Sequence, residues 1–296
     1  MNKKYSGFTL LELSIVLAIV AILLTLSFNS AKYFLEQNHI KATHVKLNAI
    51  QNALEVYLIQ NNALPCPAGL ALSTGEALSS CTSASSTNGL FVTDGVARGG
   101  VPYKDLNLTS DIALDSWNDK ITYSVSIAAL SDFRSMLDNF DGIYIFDNIY
   151  DNSDSERITN EAVYSINSHG KNKLGAYYKD GTVNSSTDIA DQESINTPSS
   201  NYSNILIYFT DYKVCDDIGR YKTRMQMVIE LGIEDINCYI KSTIVSSLLT
   251  DSGITATFTD IPTSGLLVYG DTIVSDDEEY KIQCFKYGRL GIAKNE

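Results

Sequence analysis

The chain opens on one unbroken apolar run and then changes its rhythm. Phe8 to Ala31 spans 24 residues with a single charged side chain, Glu12, and neither Pro nor Gly interrupts it. At 1.5 Å rise per residue such a helix is about 36 Å long, enough to cross a bilayer with some tilt. From Lys32 the pattern turns amphipathic. Leu47, Ile50, Leu54, Tyr57 and Leu58 recur at the three- and four-residue spacing of one helix face. Lys41, Lys46, Gln51 and Glu55 fall on other faces. Asn61-Asn62 and Pro65 close the pattern. One helix over residues 8–62 is predicted, with a transmembrane first half at 8–31 and a second half packed on a sheet.

Beyond Pro65 the period shortens. After a Ser/Thr-rich stretch, turn signals alternate with β-prone runs at Ile121–Ile127, Ile143–Phe146, Ala162–Ser168, Ile205–Thr210, Gly265–Gly270 and Tyr280–Tyr287. These read as antiparallel strands. Thr182–Asn204 is polar and rich in Ser and Asn, which predicts a long surface loop. Met225–Leu231 and Ile236–Leu249 fit a strand or a helix equally well. The fold class is α+β: a long N-terminal helix on an antiparallel β-sheet head, with an extra C-terminal region.

Charge narrows the function. The net charge is −13, and no basic run exceeds Lys3-Lys4. Nucleic-acid binding, which needs clustered Lys and Arg, has no support. Lys3 and Lys4 precede the apolar run, so the positive-inside rule puts that end in the cytoplasm and exports the rest. The five cysteines, at 66, 81, 215, 238 and 284, form no Cys-x-x-Cys pair and suit an oxidising compartment. Cys66 and Cys81 bracket a Ser/Thr-rich loop and are the candidate disulfide. The odd cysteine is left free or pairs between chains.

Glu12 sets this N-terminus apart. A secretory signal has an apolar region of about 7–15 residues and a small-residue cleavage site. A plain membrane anchor has no use for a carboxylate, which costs roughly 2.5–3.5 kcal/mol at mid-bilayer. Gly7-Phe8-Thr9-Leu10-Leu11-Glu12-Leu13, behind the lysine pair, resembles the prepilin cleavage and methylation motif of type IV pilins and type II secretion pseudopilins. The resemblance implies that a prepilin peptidase cuts between Gly7 and Phe8 and N-methylates Phe8. It further implies that Glu12 meets the Phe8 amine of a neighbouring subunit during assembly. The first turn of a helix is also where its dipole favours a carboxylate.

On that basis residues 1–7 are a leader, 8–62 the helix, 63–214 a pilin-like periplasmic head and 215–296 its C-terminal extension. Leu64-Pro65-Cys66-Pro67-Ala68 and Val101-Pro102-Tyr103 look like the same family's head. Asp115-Ser116-Trp117-Asn118-Asp119-Lys120-Ile121-Thr122-Tyr123 resembles its Asp-Pro-Trp-Gly-x-x-Tyr turn, with Ser116 and Asn118 replacing Pro and Gly. Asn still tolerates a left-handed position. Ser168-His169-Gly170-Lys171-Asn172 and Gly175-Ala176-Tyr177 look like a strand-end turn of large members.

Catalytic chemistry finds no footing. His39 and His44 lie five apart on the helix, which is no shared face for a metal, so solvation or inter-subunit packing is expected. His169 has no nucleophile signature beside it, and no phosphate-binding or dinucleotide fingerprint occurs. Two acidic stretches, residues 147–154 and 275–279, offer hard oxygen ligands. Asp147, Asp151 and Asp154 are the candidate calcium ligands, with a solvated acidic turn as the simpler reading. No other cofactor is expected. The sequence therefore reads as a non-enzymatic structural subunit, minor or specialised, of a type IV pilus or type II secretion pseudopilus. Its expected partners are other pilin-like subunits, the prepilin peptidase and inner-membrane lipid. The competing reading is a monomeric, membrane-anchored periplasmic binding protein or enzyme.

Overall fold

The computed structural model describes residues 10–85, 87–93, 95–139, 143–146, 157–171, 173, 176–183, 206–208, 218–240, 242–263 and 265–295. Within the first helix, the side chains of residues 21–31 lie outside that description. Gly7, Phe8, Asp147, Asp151, Asp154, Cys215 and residues 184–204 lie outside it altogether.

Helix α1 runs from Leu10 to Asn61, 52 residues without a break. It ends where the sequence turns to Asn: Asn62 takes the left-handed φ of 52°, and its N–H donates to the Leu58 carbonyl at 2.8 Å. A residue in that conformation caps a helix by satisfying a terminal carbonyl. The two halves of α1 have different surroundings. Leu47, Ile50, Leu54 and Leu58 are buried in the main core, as their spacing predicts. Leu10, Leu11, Leu13, Ile15, Val16, Leu17, Ile19 and Val20 are all exposed. Among the described residues no helix is long and apolar enough to cross a membrane.

The main sheet holds β1 (Phe91–Thr93), β2 (Val96–Gly100), β3 (Thr122–Ser126), β4 (Ile143–Phe146), β5 (Arg157–Ser168), β6 (Leu206–Tyr208) and β7 (Ile218–Thr223). Its order is β1-β2-β3-β5-β4-β6, and β7 pairs with β5. The first half of β5 pairs with β4. Its second half is flanked by β3 and β7, because Tyr164–Asn167 has partners in both. All these pairs are antiparallel except β4 with β6, which is parallel. The central span 162–168 is buried throughout.

Helix α1 lies against β5 and β7, and the core fills the space between. Tyr123, Val125, Tyr164, Ile166, Phe133 and Leu137 join the α1 stripe there. Helix α2 (Phe133–Asn139) closes the end of the core beside the helix C-terminus, where the Phe133 N–H donates to the Asn62 carbonyl at 3.0 Å.

Both segments of ambiguous period resolve. Residues 224–230 form helix α3, started by a capping box between Thr223 and Gln226. Residues 236–249 divide between strand β8 (Cys238–Tyr239) and helix α4 (Ser242–Ser252). Strand β8 pairs with β9 (Leu266–Leu267). A three-stranded antiparallel sheet of β10 (Thr272–Val274), β11 (Tyr280–Phe285) and β12 (Arg289–Lys294) completes the C-terminal region. This region has its own small core of Cys238, Ile240, Val245, Leu267, Ile273, Ile282 and Cys284. Buried Arg224 ties it to the head. Its Nε donates to the Leu137 carbonyl at 2.7 Å, and its Nη2 donates to the Asn237 carbonyl at 2.9 Å.

Candidate functional site

The functional candidate is α1 and the surface that receives it. Glu12 sits in the first turn and is exposed. Nearly seven turns further along the helix, at Glu36, the polar half of the docking stripe begins. Glu36, His39, Thr43 and Lys46 follow at helical spacing and so share one face. Each reaches the head. Glu36 pairs with Lys171 at 3.0 Å. The His39 ring stacks on Trp117, with centroids 5.5 Å apart, and its Nδ1 donates to the Ser116 carbonyl at 2.9 Å. Thr43 Oγ1 donates to Ser116 Oγ at 3.0 Å and accepts from the Ser116 N–H at 3.2 Å. Lys46 Nζ donates to the Asp111 and Leu114 carbonyls at 2.8 and 2.9 Å.

The receiving surface is the turn 115–119, and its shape comes from one buried carboxylate. Asp115 Oδ1 accepts from the Trp117 and Asp119 N–H groups, each at 2.9 Å. Asn118 takes φ 69°, the left-handed position that Asn tolerates. Asp115 Oδ2 accepts from Ser168 Oγ at 2.5 Å, and Ser168 Oγ accepts from the Gly170 N–H at 3.1 Å. The two head motifs of the sequence therefore meet: the end of β5 holds the turn that holds α1. Lys173 completes the junction, pairing with Asp119 at 2.9 Å and donating to the Trp117 carbonyl at 3.0 Å. Burial pushes the Asp119 carboxyl up, and Lys173 opposes that shift.

His39 thus has an intramolecular role, which solvation or inter-subunit packing did not anticipate. Its partners lie 77 residues away in sequence, so no local signal marked it. His44 faces Arg220 on β7, and burial followed by that guanidinium holds its pKa below 6.5. His169 is buried, with Nε2 at 3.0 Å from Thr122 Oγ1. The three histidines do not come together.

Cys66 and Cys81 form a disulfide with Cα atoms 5.8 Å apart. A second bridge, Cys238–Cys284, with a Cα separation of 5.6 Å, closes the C-terminal core. The loop inside the first bridge packs on β2, where Ala68 and Gly100 exchange hydrogen bonds at 2.9 and 2.7 Å. Gly99 is needed there, since a Cβ would stand 2.4 Å from the Ala68 carbonyl oxygen. Lys120 Nζ fastens the same loop to the docking turn by donating to the Leu70 and Leu72 carbonyls, both at 2.6 Å.

In the second acidic stretch Asp277 holds its own turn and Asp276 ties that turn to Thr259. Asp277 Oδ1 accepts from Ser275 Oγ at 2.5 Å and from the Glu279 N–H at 3.1 Å. Asp276 Oδ1 accepts from Thr259 Oγ1 at 2.8 Å and from the Thr259 N–H at 3.1 Å. Among the described residues no group of three or more His, Cys, Asp and Glu side chains is placed to hold a metal.

Residues 2–28 match the family described as the prokaryotic N-terminal methylation motif, the signature of type IV pilins and pseudopilins. No curated protein and no solved structure gives a significant match to the chain.

Proposed function

We propose, for a chain that carries the type IV pilin and pseudopilin N-terminal signature, that it is a structural subunit of a cell-envelope filament. The filament is a type IV pilus or a type II secretion pseudopilus, and the large head suits a minor or specialised subunit. The observation that carries this reading is the division of α1. Its second half is buried against its own head, while every large apolar side chain described from Leu10 to Val20 is exposed. A contiguous apolar surface of that extent requires lipid or another protein. The apolar run of the sequence continues through residues 21–31, and over 8–31 it is long enough to span the inner membrane once. The head then lies in the periplasm, where two disulfides are in keeping.

Assembly follows from charge. Prepilin peptidase removes residues 1–7 and methylates Phe8, which creates an amine four residues before Glu12 in sequence. In the filament Glu12 pairs with the Phe8 amine of a neighbouring copy. Breaking a buried ion pair by removing one partner costs about 3–5 kcal/mol, so an unprocessed or carboxylate-free subunit is excluded. The role is non-enzymatic. Glu12→Ala tests it: the leader is still cleaved, but the variant is missing from sheared filament fractions. Wild-type levels of the variant in those fractions contradict the proposal.

A further inference from the structure

The loop inside the Cys66–Cys81 bridge and the segment after β2 enclose a cavity of about 230 Å³. Leu72, Val101, Tyr103 and Leu114 give it apolar walls. The Tyr103 wall rests on bare backbone: Gly75 takes φ 65°, and a Cβ there would stand 1.8 Å from the ring. Charge in the lining has one sign. In a chain of net charge −13, the charged side chains that line this cavity are Lys120 and Lys179. Among the described residues neither forms an ion pair. An ammonium has three donors, and Lys120 places two on the Leu70 and Leu72 carbonyls. Burial lowers its pKa, and Asp180 opposes that shift from a distance. Asp180 is itself engaged, since its Oδ1 accepts from the Thr182 N–H at 2.9 Å and from Thr182 Oγ1 at 2.6 Å. Lys179 is exposed, so an anion reaches it from solvent.

We propose that this cavity binds a small monocarboxylate with an apolar body. The body fills the space between the loop and the segment after β2, and the carboxylate sits at Lys120 and Lys179. A cavity of about 150 Å³ lined by aliphatic and aromatic side chains holds benzene. The larger space here takes a ring or branched chain of about six to eight carbons. Acetate and inorganic phosphate leave the apolar walls wet, and a neutral ligand of the same shape leaves the two ammonium groups unmatched. A hydrogen bond to a charged group is the stronger kind, so the anion is preferred. The site stands whether or not the chain enters a filament.

Full-length protein in detergent micelles, carbon-labelled at its Leu and Val methyl groups, provides the test. It is titrated with benzoate, and separately with benzyl alcohol, acetate and inorganic phosphate, at equal ionic strength. Val45 and Val56, exposed on α1, report ligand that arrives through the detergent. Saturable shifts at the Leu72, Val101 and Leu114 methyl groups are expected, with magnetisation transfer to them from the benzoate ring protons. The other three compounds bind about tenfold or more weakly than benzoate. Lys120→Gln weakens benzoate about tenfold. Lys120 also holds the loop, so Lys179→Gln is the second variant and weakens benzoate about threefold or more. The proposal is overturned if the cavity methyl groups show no saturable response, or if Val45 and Val56 respond equally. It is also overturned if any of the other three compounds binds as tightly as benzoate, or if either folded variant binds benzoate as wild type does.

Discussion

The imidazole of His39 stacks on the indole of Trp117, with ring planes 25° apart and centroids separated by 5.5 Å. This pair joins the midpoint of the long helix to the turn that Asp115 shapes. It is one of four polar contacts, with those of Glu36, Thr43 and Lys46, that fasten the helix to the head.

Removing it loosens that junction. An aromatic stack contributes about 0.5–1.5 kcal/mol beyond area burial, and the hydrogen bond to Ser116 about 1 kcal/mol more. His39→Ala is expected to destabilise the head by about 1.5–2.5 kcal/mol in urea denaturation. Trp117 is the chain's one tryptophan, so its fluorescence reports the contact directly. An emission spectrum identical to wild type contradicts the stack.

The two sides of α1 respond differently to truncation. Leu54 is fully buried and Val56 is 53% exposed. Leu54→Ala leaves a cavity between helix and sheet and costs about 2–5 kcal/mol. Val56→Ala changes the stability of the isolated subunit by no more than about 0.5 kcal/mol. Equal losses in thermal denaturation would mean that the helix docks through another face.

Each disulfide stabilises more the longer the loop that it closes, but only as the logarithm of the loop length. The sequence separations are 15 and 46 residues, which give about 3 and about 4 kcal/mol in the chain-entropy model. Cys238→Ser with Cys284→Ser should therefore lower stability more than Cys66→Ser with Cys81→Ser. Non-reducing peptide mapping checks the pairings themselves, and recovery of Cys66 linked to Cys238 or Cys284 contradicts them.

His44 makes stability depend on pH. Burial, and then Arg220, lower its folded pKa below the ordinary 6.5. The unfolded chain accordingly takes up the proton first as pH falls. The contribution of neutral His44 is fully present above 6.5 and is lost as pH drops through the folded value. His44→Gln should flatten the fall in stability below pH 6.5 and leave the curve above pH 7 unchanged in slope. Identical slopes for both proteins below pH 6.5 contradict this.

Much of this architecture is legible along the chain, and what is not has a physical cause. The α1 stripe and the strands over 122–126 and 143–146 follow from local period, which depends only on neighbours in sequence. Strand β7 is written Ile-Gly-Arg-Tyr-Lys-Thr and has no apolar alternation, because Arg220 and Lys222 meet polar residues of the helix, His44 and Glu55. The parallel pairing of β4 with β6 joins residues some sixty apart, which no local rule reaches. Helix α3 did carry a readable signal, Thr223 three residues before Gln226, the spacing of a capping box. For the candidate site, Glu12 was legible because a lone carboxylate stands out in an apolar run. His39 and Arg220 were not, since each takes its meaning from a residue far away in the chain.

Under the proposed function, processing between Gly7 and Phe8 is what makes this chain competent for assembly. The most direct measurement is the mass spectrum of the mature N-terminus from membranes of the producing cell. The account predicts a chain that begins at Phe8 and carries one added methyl group on its amine. An intact Met1, or a cut near residue 30, contradicts it and favours a plain anchored or secreted periplasmic protein.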